Sequence, residues 1–150
     1  MKRTLATAAL ALVFCSCHTP PGPSVSLVNV RFTQATVLET SGVFTLRLNN
    51  ETPDPLQLRG GVHKIYLNGL YLGEGLNNEP LEVAGLSSAT QSVTVHLSNL
   101  ALVTRLKPLI ESKVFDYRVE SVLYPTTGRL HTSSEGRLDL REFQPTPSSR

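Results

Sequence analysis

Four imidazoles could carry acid–base chemistry or ligate a metal: His18, His63, His96 and His131. Such chemistry needs a nucleophile beside a base, paired carboxylates with separated pKa values, or a cluster of metal ligands. No two of the histidines form a ligand spacing such as His-Glu-x-x-His. A Cys-x-Cys pair, Cys15 and Cys17, stands beside His18 and could contribute to a metal or redox site, but no further Cys or His lies near it. His63 falls at the start of a strand pattern, His131 near a turn, and His96 on the polar face of a strand, where a solvated side chain is the expectation. Asp54, Asp116 and Asp139 are carboxylates that could meet only through the fold. The glycine-rich pieces Arg59-Gly60-Gly61 and Leu72-Gly73-Glu74-Gly75 do not open a helix, so they lack the helix N-terminus on which a phosphate cradle is built. The expectation is a chain that is not an enzyme and holds no metal and no cofactor.

Charge points the same way. The formal charge of +2 includes Lys2 and Arg3; without them 12 basic residues face 12 acidic ones. That balance supplies no field for a polyanion. With no tryptophan and 6% aromatic residues, a base-stacking platform has little to build on. No nucleic-acid partner is expected.

The two cysteines have a different reading. Met1–Thr4 is basic, Leu5–Phe14 is an apolar run and Cys15-Ser16-Cys17 a small-residue site, the layout of a secretory signal peptide. The run is too short for a permanent membrane span, which needs about 20 apolar residues. The junction resembles a bacterial lipobox, in which a small residue precedes the cysteine that is diacylated and becomes the new N-terminus. Ser16 precedes Cys17, whereas bulky Phe14 precedes Cys15, so Cys17 is the expected lipidation site. Plain secretion with cleavage nearby is the alternative. The organisation that follows is a signal peptide with lipobox over 1–17, a Pro-rich tether over 18–24, one domain over 25–143 and a tail over 144–150. The expected location is the bacterial envelope, at the periplasmic face of the outer membrane, with the membrane engaged through the N-terminal lipid.

Hydrophobic alternation organises the domain. Phe44, Leu46 and Leu48 share one face of a strand, with Thr45 and Arg47 on the other. Ile65-Tyr66-Leu67 and Leu70-Tyr71-Leu72 flank Asn68-Gly69, a pair that accepts the positive φ angles of a type I′ hairpin. A first strand of uncertain register starts at Val25, Leu81-Glu82-Val83 reads as a short strand, and Val93, Val95 and Leu97 alternate with Ser92, Thr94 and His96. Phe115–Tyr124 is a further strand, and the last one, from Arg129 to Phe143, reads as interrupted near Ser133–Gly136. Between them Leu100, Val103, Leu106 and Ile110 lie at helical spacing, with Pro108 set to end or kink the helix near Leu106. The fold expected is mainly β: an immunoglobulin or fibronectin type III-like sandwich of about seven strands with one α-helix.

Several of these pieces together resemble the late-embryogenesis-abundant group 2 (LEA2) proteins, the family of the water-stress and hypersensitive-response (WHy) domain. The matching residues are Leu46-Arg47-Leu48-Asn49, Pro55-Leu56-Gln57-Leu58, Ile65-Tyr66-Leu67-Asn68-Gly69 and Leu72-Gly73-Glu74-Gly75. Their order and spacing carry the likeness, which runs from about Val25 to Tyr124. The family's Asn-Pro-Asn is here Asn49-Asn50-Glu51, keeping the leading asparagine and losing the proline. The resemblance marks Asn49, Asn68, Gly69, Gly73 and Gly75 as family-motif positions. It implies a non-catalytic protective role for proteins or membrane surface during desiccation or other stress, with envelope proteins as clients. The alternative is an envelope interaction module that binds one specific partner.

The lipobox is directly testable. Cys17→Ser should abolish fatty-acid labelling and release the chain from membranes, while Cys15→Ser should leave both unchanged. Two or three acyl chains at about 0.8 kcal/mol per buried methylene make the anchor firm. Label persisting in the Cys17 variant would move the site elsewhere.

Overall fold

The computed structural model describes residues 22–35, 40–97, 108 and 111–141; the lipobox, most of the tether and the tail lie outside the described residues. Among the described residues, eight strands form two antiparallel sheets. The first sheet has the order β1-β2-β6, built from β1 (Ser24–Ala35), β2 (Thr40–Asn50) and β6 (Ser87–Leu97). The second has the order β4-β3-β7-β8, built from β4 (Leu70–Asn77), β3 (Leu56–Leu67), β7 (Val114–Pro125) and β8 (Leu130–Asp139). The short β5 (Leu81–Val83) pairs with the start of β3. The inward faces meet in one core that includes Phe44, Leu46 and Leu48 of β2, Val93, Val95 and Leu97 of β6, Ile65 and Leu67 of β3, and Phe115, Val119 and Leu123 of β7. Each such side chain contributes about 1.5–3 kcal/mol by leaving water.

The alternation survives where the register is straight and shifts where bulges occur. In β1, Val25 and Leu27 are buried, and a bulge between Leu27 and Asn29 then turns Val30 inward. That bulge explains why no single parity fits the segment. The strand expected to start near His63 begins much earlier: β3 runs unbroken from Leu56, and Arg59-Gly60-Gly61 lies inside it, at a bulge in its pairing with β7. His63 therefore sits in mid-strand rather than at a strand start. The last strand is likewise continuous through Ser133–Gly136, because it pairs with β7 along its whole length and Gly136 leaves space for the Tyr117 ring, whose Oη would lie 2.7 Å from an added Cβ. The expected helix falls on residues 100–113, most of them outside the described residues; Pro108, Glu111 and Ser112 have helical backbone.

The Asn68-Gly69 turn has φ of 46° and 75°, the left-handed pair a type I′ hairpin requires. Asn68 also docks the hairpin on β7: its amide donates to the Asp116 carbonyl at 2.7 Å, and its Oδ1 accepts from the Asp116 amide at 2.7 Å. In β4 the bulge at Leu72 gives Gly73 a φ of 150°. Here the two sheets approach closely. A Cβ on Gly73 would lie 2.7 Å from Val95 Cγ1, and one on Gly75 would lie 2.6 Å from Val93 Cγ2.

This close approach sets a prediction. Gly75→Ala should destabilise the domain by about 1–3 kcal/mol through overpacking against Val93. Val93→Ala should recover part of that loss when combined with it, giving a coupling of at least about 0.5 kcal/mol in a denaturation double-mutant cycle. Strict additivity of the two changes would place the β4–β6 contact elsewhere.

Candidate functional site

The described residues hold no group of three or more His, Cys, Asp or Glu side chains placed to bind a metal. His96 is exposed and its Nδ1 lies 3.1 Å from Ser41 Oγ; His131 is exposed on β8; His18, Cys15 and Cys17 are outside the described residues. Asp54 is kept apart from Asp116, while Asp116 and Asp139 lie on the paired strands β7 and β8, opposite Arg137 and Val114. Asp54 precedes β3, whereas Asp116 meets Asn68 just past its other end, so β3 at about 3.4 Å per residue separates them. Asp139 is held by Arg141, whose side-chain and backbone hydrogen bonds draw its carboxyl down to about 2.

What the fold assembles instead is a polar thread through the core. His63 of β3 is completely buried. Its Nδ1 lies 2.8 Å from Ser121 Oγ of β7, directly opposite in the register, and its Nε2 lies 3.3 Å from Gln91 Nε2 of β6, in the facing sheet. The Gln91 Oε1 accepts in turn from Asn77 Nδ2 of β4. The direction of donation fixes the imidazole. Because the Gln91 amide donates to Nε2, that nitrogen carries no proton, and Nδ1–H donates to Ser121. A protonated ring would turn an N–H toward the Gln91 NH₂ and break the order of the chain. Burial adds to this, pushing His63 down to about 4.

A second knot sits at one end of the sandwich, on Asn50, which is buried at the end of β2. Its Nδ2 donates to the carbonyls of Asp54 at 2.7 Å and Val83 at 3.2 Å, and its Oδ1 accepts from the Thr52 amide and hydroxyl at 3.1 and 2.7 Å. The loop it shapes covers the β5–β6 turn, where Leu86 donates its amide to the Thr52 carbonyl and an added Cβ on Gly85 would lie 1.8 Å from the Pro53 oxygen. Asn49 is half-buried and makes a 3.2 Å bond to Ser24 Oγ. Of the family-motif positions, Asn68 and Gly69 form the hairpin, Gly73 and Gly75 the sheet contact, and Asn49 a strand-edge bond. None of them lines a reactive centre among the described residues.

Ser121, Gln91 and Asn50 carry no chemical signal in the sequence, and His63 stands out there only as an imidazole. The signal was their parity: His63 is in step with Ile65 and Leu67, Ser121 with Val119 and Leu123, Gln91 with Val93 and Val95, and Asn50 with Leu48. A polar residue on an inward position is a buried one.

The neutral His63 has a pH consequence. Its folded pKa of about 4 lies below the ordinary 6.5, so below pH 6.5 the unfolded chain binds a proton that the folded chain does not. Stability should therefore be full above pH 6.5 and fall as the pH drops toward 4, by an order of 3 kcal/mol at most. His63→Leu should flatten this slope in denaturant titrations between those limits, whatever its stability at neutral pH. An unchanged slope would assign the acid sensitivity to other groups.

No family model matches the chain, and no curated protein matches it. Solved structures do. AT1g01470 from Arabidopsis thaliana, in solution, superposes with a TM-score of 0.59 over 87% of this chain and 89% of its own, at 12% identity. A protein classed provisionally as late embryogenesis abundant, At2g46140.1, gives a TM-score of 0.48 over 83% of this chain and 76% of its own, at 15% identity. A protein from Archaeoglobus fulgidus gives 0.42 over 75% of this chain and 95% of its own, at 21% identity. The likeness to AT1g01470 is one of fold alone.

Proposed function

We propose that this chain is a non-catalytic envelope protein of the LEA2/WHy type, anchored by a lipid on Cys17, that protects proteins or membrane surface during desiccation or related stress. The observation that carries the reading is the fold shared with AT1g01470, together with the motif residues of the hairpin and the sheet contact. The sandwich is read as a relative of the immunoglobulin and fibronectin type III architectures, and its location as the periplasmic face of the outer membrane. No cofactor and no nucleic acid enter the proposal.

The physical route is weak polar contact. Ser88, Thr90, Ser92 and Thr94 of β6 are exposed on the outer face of the first sheet, beside Thr45 and Arg47 of β2. Such hydroxyls can replace water at a partly dehydrated surface without a large apolar area that would bind it permanently. A second reading, a module that binds one envelope protein, is favoured by Leu86, which is 74% exposed at a φ of 52°.

Drying or freeze–thaw of several unrelated enzymes with the purified chain tests the first reading. Aggregation should fall more than with an equal mass of an unrelated β-sandwich, without nucleotide, metal or turnover. No advantage over that control, with one envelope protein co-purifying at fixed ratio, would overturn protection in favour of the module.

A further inference from the structure

The polar thread continues past Gln91 to the surface, and its direction is set from there. The Glu79 backbone amide donates to Asn77 Oδ1 at 2.8 Å. A backbone N–H cannot exchange its role, so Asn77 keeps its Oδ1 at that end and turns its Nδ2 toward Gln91 Oε1. Gln91 is thereby left with its NH₂ toward His63 Nε2, and His63 with its N–H toward Ser121. Donation runs inward without a break, from Glu79 through Asn77, Gln91 and His63 to Ser121. Each link has its partner only while the imidazole is neutral.

A proton on Nε2 reverses the demand, because an imidazolium donates from both nitrogens. Gln91 then has to present Oε1 to the ring and its NH₂ to Asn77. Asn77 in turn has to present Oδ1 to Gln91, which points its own NH₂ at the Glu79 amide. Two donors must face each other at one link of the chain. Inside, that mismatch leaves a polar group buried without a partner, since His63 is completely buried and Gln91 half-buried. At Glu79, which is exposed, water can accept from the amide instead. The fault therefore settles at the surface end.

We propose that His63, Gln91 and Asn77 form an acid-driven relay, in which protonation in the core is expressed as release of the turn from Asn77 to Pro80. The titratable groups of the strands around the ring take outer positions: Arg47 of β2, Arg59, Lys64 and Tyr66 of β3, Tyr71 and Glu74 of β4, Glu82 of β5, His96 of β6, and Asp116, Arg118, Glu120 and Tyr124 of β7. Tyr117 turns inward, four residues along β7 from Ser121. Burial is thus what holds the imidazole down at about 4, and the relay acts as the pH falls through that value. The Asn77 carbonyl lies over Gly60, where an added Cβ would collide with it. The registers of β3 with β4, β5 and β7 all skip Arg59 and Gly60. Release of the turn uncovers that stretch of β3, which lies outside the ladders.

Nitrogen NMR of the full chain in mild detergent, titrated from about pH 7 to about pH 3.5, follows both ends of the relay at once. Glu79→Gln first removes the turn's own carboxylate from that range. In this background the His63 ring nitrogens and the amide at position 79 should shift with a common midpoint, and protection of that amide from hydrogen exchange should fall at least about tenfold. His63→Gln should abolish the step. Asn77→Ala cuts the relay, and by reciprocity the imidazole should then take up its proton at least about fivefold more readily. Protection at position 79 that holds while the ring titrates would overturn the proposal. So would an unchanged imidazole midpoint in the Asn77 variant, or unfolding of the whole domain before the turn opens. If His63→Gln does not fold, the Asn77→Ala comparison decides alone.

Discussion

The molecule depends on how closely two pleated sheets can approach when one of them presents backbone instead of side chains. Gly73 and Gly75 turn the inner face of β4 into a shallow groove, and Val95 and Val93 of β6 fill it. The bulge at Leu72 brings both glycines to that face. With larger residues there, β6 would have to lift away, and the cores on β2 and β3 would part with it. The left-handed φ of Gly73 and the close approach at Gly75 are therefore one constraint seen twice.

That close packing also accounts for the polar thread. An imidazole in an apolar core is costly unless each ring nitrogen is satisfied. Ser121 supplies one partner within the sheet and Gln91 supplies the other from the facing sheet. Hydrogen bonds of defined length and direction specify the spacing of the sheets in a way that Val and Leu alone do not. Asn50 acts similarly at one end, using a single side-chain amide to join the Thr52–Asp54 loop to the end of β5.

The strands were legible because alternation is a direct consequence of the pleat, and the hairpin because Asn68-Gly69 has few other uses. What resisted reading were features set by partners distant in sequence. The bulges in β1 and β3 depend on the strand lying alongside, so parity read along the chain could not find them. The apparent break at Ser133–Gly136 came from polar composition, whereas the ladder with β7 decides the outcome. The motif asparagine marked by resemblance was Asn49, yet the loop is organised by its neighbour, because strand parity turns Asn50 inward. His63 is an interior structural residue for the reason that Ile65 and Leu67 are interior, a fact that its spacing from the other histidines does not carry.

The bond from Ser134 Oγ to the Val25 carbonyl joins residues 109 apart in the chain. It ties the first strand to the last. In a chain that emerges from its N-terminus, β1 and β2 can pair early, but this seam has to wait for β8. Loop-closure entropy over such a separation slows the final step of assembly and leaves the β1 edge open until then.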